Sequence, residues 1–104
     1  MPNPIFNRTK IIATIGPSSA NEEVLTEMIM NGVDVCRLNF SHGTHEEHLR
    51  VMKLIDTINT KHGLHVSILC DLQGPKIRVG TFNTEFIPLE TGKTLFFTTN
   101  STSS

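Results

Sequence analysis

The sequence has 104 residues, 38% of them hydrophobic, with nine Lys and Arg against ten Asp and Glu and a formal net charge of −1. Such a composition belongs to a globular chain and excludes a disordered or fibrous one, and the even charge balance argues against nucleic acid or a cationic partner. Its apolar runs fall far short of the roughly 20 residues that span a bilayer, so no membrane association is expected.

The start, MPNPIFNRTK, lacks the apolar centre and small-residue cleavage site of a secretory signal, and a cytoplasmic location is expected. Residues 10–16, KIIATIG, are apolar and β-branched and stop at Gly16 and Pro17, which predicts a strand and a turn. In SANEEVLTEMIMNG, Ser19 with Glu22 has capping-box spacing. Val24, Leu25, Met28 and Ile29 form an apolar helical stripe, and Gly32 follows as a C-terminal glycine. VDVCRLNF (33–40) reads as a second strand. The next helix opens on Thr44 and Glu47, a second capping box. It carries Val51, Leu54, Ile55 and Ile58 at helical spacing and stops at Gly63. HVSILCDL (65–72) is the third strand.

The expected order is therefore β-α-β-α-β. Strands this apolar are expected to be covered on both faces, as in parallel sheets with helical crossovers, either in an open doubly wound sheet or in a (β/α)8 barrel. Cys36 and Cys70 each precede a charged residue in a predicted strand and read as small buried apolar residues of a reduced protein, not as a disulfide. After Gly80 the composition shifts. TFNTEFIPL and KTLFFTTN predict a hairpin or strand pair around ETG. Residues 1–80 are thus expected to be one unit and 81–104 the beginning of another, all-β unit. Three strands and two helices leave a sheet edge open, and a barrel needs about 250 residues. A piece of a longer protein is the expectation.

Two motif-like stretches carry no chemistry. TGKT (91–94) has Ile87 where a phosphate-binding P-loop requires Gly, and it joins strand-like runs, so it is expected to be a turn. No G-x-G-x-x-G follows the first strand. His42, His45 and His48 stand three apart, but no other ligand lies at a supporting spacing. His45 and His48 read as a solvated helix start.

VDVCRLNFSHGTHEEH (33–48) is different. Arg37, Asn39 and Ser41 alternate and would share one face of the strand, with Leu38 and Phe40 on the other. A guanidinium, an amide oxygen and a hydroxyl then sit at the carboxyl end of a parallel strand, where α/β folds bind ligands. Arg suits bidentate recognition of phosphate or carboxylate, and the following helix start near Thr44 adds N–H donors. The competing structural role for Arg37 is an ion pair with Asp34 or Asp71. CDLQGPKIR (70–78) repeats the pattern: Asp71 at a strand end, a Gly-Pro turn, then Arg78. Carboxylate, amide and hydroxyl oxygens together suit a hard cation such as potassium or magnesium, not zinc.

In this order and at these separations, TKIIATIGPSS, CRLNFSHGTHEEH and CDLQGPKIRVG closely resemble the N-terminal part of the pyruvate kinase family. The resemblance covers nearly the whole chain. It implies a glycolytic phosphotransferase that moves phosphate from phosphoenolpyruvate to ADP, giving pyruvate and ATP. It also implies the first strands of a (β/α)8 TIM barrel followed by an inserted β-rich lid, and a cytoplasmic parent that is a homotetramer. By resemblance, Arg37 contacts the transferring phosphoryl group and Arg78 is a second phosphate-binding arginine. Asn39, His42 and Arg78 meet nucleotide phosphates. Asn39, Ser41, Asp71 and the Leu72 carbonyl match the ligands of a monovalent potassium ion.

Many family members have Thr-Lys before the Gly-Pro turn and Glu after it. Here Leu72 and Gln73 precede it and Lys76 follows. A lysine ammonium there supplies the charge that potassium would bring, so Lys76 is expected to replace the ion and potassium to be dispensable. Glu47 stands where some relatives carry an aromatic residue near the nucleotide base. The catalytic lysine and the magnesium ligands belong to later strands, and the chain alone is expected to be inactive. The alternative is a non-catalytic, self-associating half-barrel that binds phosphate.

Overall fold

The computed structural model describes residues 7–99. The elements follow the expected order: β1 (Ile12–Thr14), α1 (Glu22–Met30), β2 (Val35–Asn39), α2 (His45–His62) and β3 (Ser67–Asp71). The three strands form one parallel sheet in the order β1-β2-β3. Ile12, Val35 and Ser67 are in register, as are Thr14, Arg37 and Leu69, and Asn39 lies opposite Asp71.

That order is shared by the start of a (β/α)8 barrel and by one half of a doubly wound sheet. Strands that advance in sequence order through right-handed crossovers put every helix on the same side of the sheet. Here Cys36 and Leu38, which alternate with Arg37 on β2, enter one core with Leu25 and Ile29 of α1 and Val51, Ile55 and Ile58 of α2. The helices also pack against each other. Among the described residues no helix covers the opposite face, which carries Thr14, Arg37, Asn39 and Asp71. This is how a (β/α)8 barrel begins, with helices outside and the second face turned inward.

The expectation that each strand is covered on both faces is corrected. Only β2 has a buried side. β3 is exposed along Ser67–Cys70 on both faces, because α2 reaches β2 and no described element lies beyond β3. Cys70 is exposed for the same reason, which corrects its reading as a buried residue. Cys36 is buried, and burial pushes its thiol pKa up. Both cysteines are free.

Helix α1 starts differently from the capping box expected at Ser19. Asn21 is the N-cap, and its Oδ1 accepts from Val24 N at 2.9 Å. Ser19 instead closes the turn after β1, its hydroxyl accepting from Gly16 N and donating to Gly16 O. Both side chains are good caps, and the one directly before the helix takes the role. The box at α2 forms as expected. Thr44 N donates to Glu47 Oε2 at 2.7 Å, Glu47 N donates to Thr44 Oγ1 at 3.2 Å, and the helix ends at Gly63 with φ +64°. Thr44→Ala is expected to cost about 1 kcal/mol, seen as a lower urea midpoint at unchanged m-value.

Residues 72–99 form no helix or strand and are exposed throughout. The radius of gyration is 20.2 Å, where a compact chain of this length has about 13 Å. The strand pair expected after Gly80 does not form among the described residues. Its ETG turn does, with Lys93 N donating to Glu90 O at 3.2 Å and Gly92 at φ +85°. An isolated hairpin is marginal in water without further strands or a helix to bury its apolar side. Phe96 and Phe97 accordingly stay exposed. Residues 100–104, the end of that predicted pair, lie outside the described residues.

Candidate functional site

The uncovered face of the sheet gathers its polar groups at the carboxyl ends of the strands. Arg37 stands at the centre. Its Nη1 donates to Thr14 Oγ1 on β1 at 3.0 Å, and its Nη2 donates to the Asp71 carboxylate on β3. Both contacts follow from register. Thr14 is directly across from Arg37, and Asp71 is two residues beyond its opposite number Leu69, hence on the same face. The pairing with Asp71 that competed with a ligand role is therefore present, whereas Asp34 accepts from Ile11 N and pairs with Lys10 instead. A guanidinium has five N–H donors. Two are used, which fixes the plane and leaves others free of these two partners, on a side chain 31% exposed.

Beyond Arg37, the strand ends at Asn39 and the chain turns. Ser41 does not continue the alternation. It lies in the turn, placed by a bond from its N–H to Asn39 Oδ1 at 3.1 Å. His42 N donates to Asn39 O at 3.2 Å, and Phe40 N to Asp71 O at 3.0 Å, so the turn is tied to both strands. Lys76, from the segment after β3, brings its Nζ to Ser41 Oγ at 2.6 Å. Leu72 is 72% exposed, and Arg78 is exposed with no hydrogen bond or ion pair among the described residues.

The oxygens matched to a potassium site thus already have partners in the protein. Asn39 Oδ1 accepts from Ser41 N, the Asp71 carboxylate from Arg37 and the Ser41 hydroxyl from Lys76. Protein cations lie against two of these three side-chain ligands, Arg37 against Asp71 and Lys76 against Ser41, and place positive charge where an additional monovalent ion would bring it.

His45 is exposed at the start of α2 as expected, whereas His48 is half-buried and packs against the turn. His48 stacks on Phe40, with ring centroids 4.3 Å apart and planes at 22°, and its Nε2 lies 2.7 Å from His42 O. A carbonyl only accepts, so Nε2 carries the proton. His45 is 6.4 Å from Phe40 and tilted. Among the described residues no three His, Cys, Asp or Glu side chains cluster as metal ligands. Thr14 and His48 lie inside the quoted motifs, but the sequence reading gives neither a role in the site. Thr14 is visible only through strand register, and His48 only through the fold of the turn onto α2.

Three parallel strands with both helices on one face, and a guanidinium fork and a lysine at the strand ends, are consistent with a partial α/β barrel. The sequence matches the family model described as "Pyruvate kinase, barrel domain" over residues 6–104, and the chain belongs to the pyruvate kinase family. The pyruvate kinase of Buchnera aphidicola subsp. Baizongia pistaciae is 54% identical over 77 residues, 74% of this chain and 16% of that protein. That of Trypanoplasma borreli is 42% identical over 101 residues, 97% of this chain and 20% of that protein. The crystal structure of a pyruvate kinase from Cryptosporidium parvum superposes with a TM-score of 0.62 at 44% identity, covering 64% of this chain and 14% of that one. The chain therefore spans at most a fifth of the length of these relatives. Among the described residues no helix is long and apolar enough to cross a membrane.

Proposed function

We propose that this chain is the N-terminal segment of a pyruvate kinase that transfers phosphate from phosphoenolpyruvate to ADP, and that its part in the reaction is to hold phosphate. The single observation that supports this most directly is the Arg37 guanidinium, braced between Thr14 and Asp71 at the carboxyl ends of three parallel strands. In phosphoryl transfer the protein mainly positions groups and neutralises charge. A braced guanidinium does both, since its plane is set before the ligand arrives and its remaining donors are spare. Arg78 serves as the second phosphate clamp, and Asn39 and His42 border the nucleotide phosphates.

Lys76 takes the place of the monovalent cation. Its bond to Ser41 Oγ is the observation in favour. Magnesium supplies Lewis-acid neutralisation of phosphate charge in this chemistry, and its ligands come from segments beyond this chain. Residues 81–104 begin the inserted lid, the parent is a cytoplasmic homotetramer, and the 104-residue chain alone is inactive. The test is pyruvate formation by the full-length enzyme in potassium-free buffer. Activity is expected there without added potassium, and Lys76→Glu is expected to restore a potassium requirement. Strict activation of the wild type by potassium sinks the Lys76 assignment, and absence of phosphoenolpyruvate-dependent ATP formation in any buffer sinks the functional one.

A second reading, a non-catalytic phosphate-binding half-barrel that self-associates, draws on the bare β3 strand. An unpaired parallel edge is a template for another strand. Sedimentation of the chain separates the two, with a discrete phosphate-binding dimer supporting the half-barrel.

A further inference from the structure

The geometry points to His48 as a positioning residue for the phosphate-binding turn, acting through the His42–Gly43 peptide. This rests on the pyruvate kinase reading above and assigns a role to a residue that the sequence reading placed only at a solvated helix start.

His48 lies in the first turn of α2 and is held from two sides. Its ring stacks on Phe40 at 4.3 Å, and Phe40 is anchored through its N–H to Asp71 O on β3. Its Nε2–H donates to His42 O at 2.7 Å. His42 N in turn donates to Asn39 O, so the residue expected to meet nucleotide phosphates has both its backbone groups fixed. One bond comes from the strand end and the other from the helix.

The peptide that follows His42 is trans and planar, so its C=O and N–H point in opposite directions. Pinning the His42 carbonyl to His48 aims the Gly43 N–H away from α2. That N–H has no hydrogen-bond partner among the described residues. Gly43 is also confined. It has φ +75°, and a Cβ there would stand 3.0 Å from Glu47 Oε2 and 3.4 Å from His48 Nε2. The turn is thus closed against the helix by the capping carboxylate and the imidazole together. The outcome is an outward backbone donor, one residue after His42, suited to an oxygen of a nucleoside diphosphate.

The two contacts of His48 are separable. His48→Phe keeps an aromatic ring for Phe40 and loses the donor, and His48→Gln keeps an N–H donor and loses the ring. In the full-length enzyme, His48→Phe is expected to raise KM for ADP about tenfold, with kcat and KM for phosphoenolpyruvate moving less than about twofold. His48→Gln is expected to recover most of the ADP affinity. Equal losses in both variants, or a parallel fall in kcat and in affinity for both substrates, mark a merely structural residue and overturn the inference. Calorimetric titration with ADP separates this from the wider functional reading. A wild-type enzyme that binds ADP more tightly than His48→Phe but transfers no phosphate keeps the role of His48 and sinks the kinase. Equal binding by wild type and His48→Phe overturns the role of His48 whatever the activity.

Discussion

Replacing Arg37 with alanine in the full-length enzyme is expected to lower kcat for pyruvate formation by about 10²–10³-fold, the loss typical when one preorganised electrostatic donor is removed from a reacting centre. The large effect follows from where Arg37 stands. Thr14 and Asp71 hold its two terminal nitrogens, one on each neighbouring strand, so no reorganisation is needed when phosphate arrives. Arg37→Lys keeps the charge but has no planar fork, and it cannot bond Thr14, Asp71 and phosphate with the same geometry. Its activity is expected to stay within about tenfold of the alanine variant, because orientation and not net charge is what the fork provides. Steady-state kinetics of both variants, with stability followed alongside, checks this. Full activity in Arg37→Lys shows that a point charge suffices. Full activity in Arg37→Ala shows that the Asp71 pair is purely structural. The partial exposure of the pair limits its own worth to the fold, as for ion pairs at a surface generally.

Ile55→Ala is expected to destabilise the chain by about 3–4 kcal/mol, within the range for large-to-small changes at fully buried aliphatic positions. Ile55 is completely buried, as are Leu25, Cys36 and Ile58, and Leu38 is nearly so. These side chains form the one described core cluster. Folded domains hold only about 5–15 kcal/mol in total, so this single change removes a large share of what keeps α2 on the sheet. Leu49→Ala is the control on the same helix. Leu49 is 51% exposed, and its loss is expected to stay within about 0.5 kcal/mol. Urea denaturation followed by helix content reads both. Similar midpoints for the two variants mean that the core does not centre on the contact between α2 and β2.

The core and the strand-end fork are coupled through β2. Alternation on β2 sends Cys36 and Leu38 into the helix-covered core and Arg37 and Asn39 to the opposite face. The core therefore sets the pose of the fork. A change that loosens α2 moves the strand whose other side carries Arg37 and Asn39, the proposed phosphate donor and its neighbour. The turn after β2 is fastened to the same helix by the Thr44–Glu47 box and by His48. Stability of α2 and geometry of the site are one structural problem.

By itself the sequence determined the three strands, the two helices, the Thr44–Glu47 box, the Gly63 stop, the 90–93 turn and the polar strand-end motifs. Each of these is a matter of a few neighbouring residues: hydrophobic period, a cap three positions away, a glycine that accepts positive φ. It also carried enough of its motifs to show the family. Tertiary structure decided the rest. The Asn21 cap displaced Ser19, whose hydroxyl the turn after β1 had claimed. Cys70 and the rest of β3 lie open because burial depends on what packs beyond a strand, and the strand's own residues do not specify that. The Phe-rich run after Gly80 has strand composition but lacks the further strands that would make pairing favourable. The Arg37 fork to Thr14 and Asp71, the reach of Lys76 to Ser41 and the fold of His48 onto the turn all join residues far apart in sequence or turned by a loop. Strand register and loop direction brought them together, and both are set by packing across the whole sheet, not by local preference.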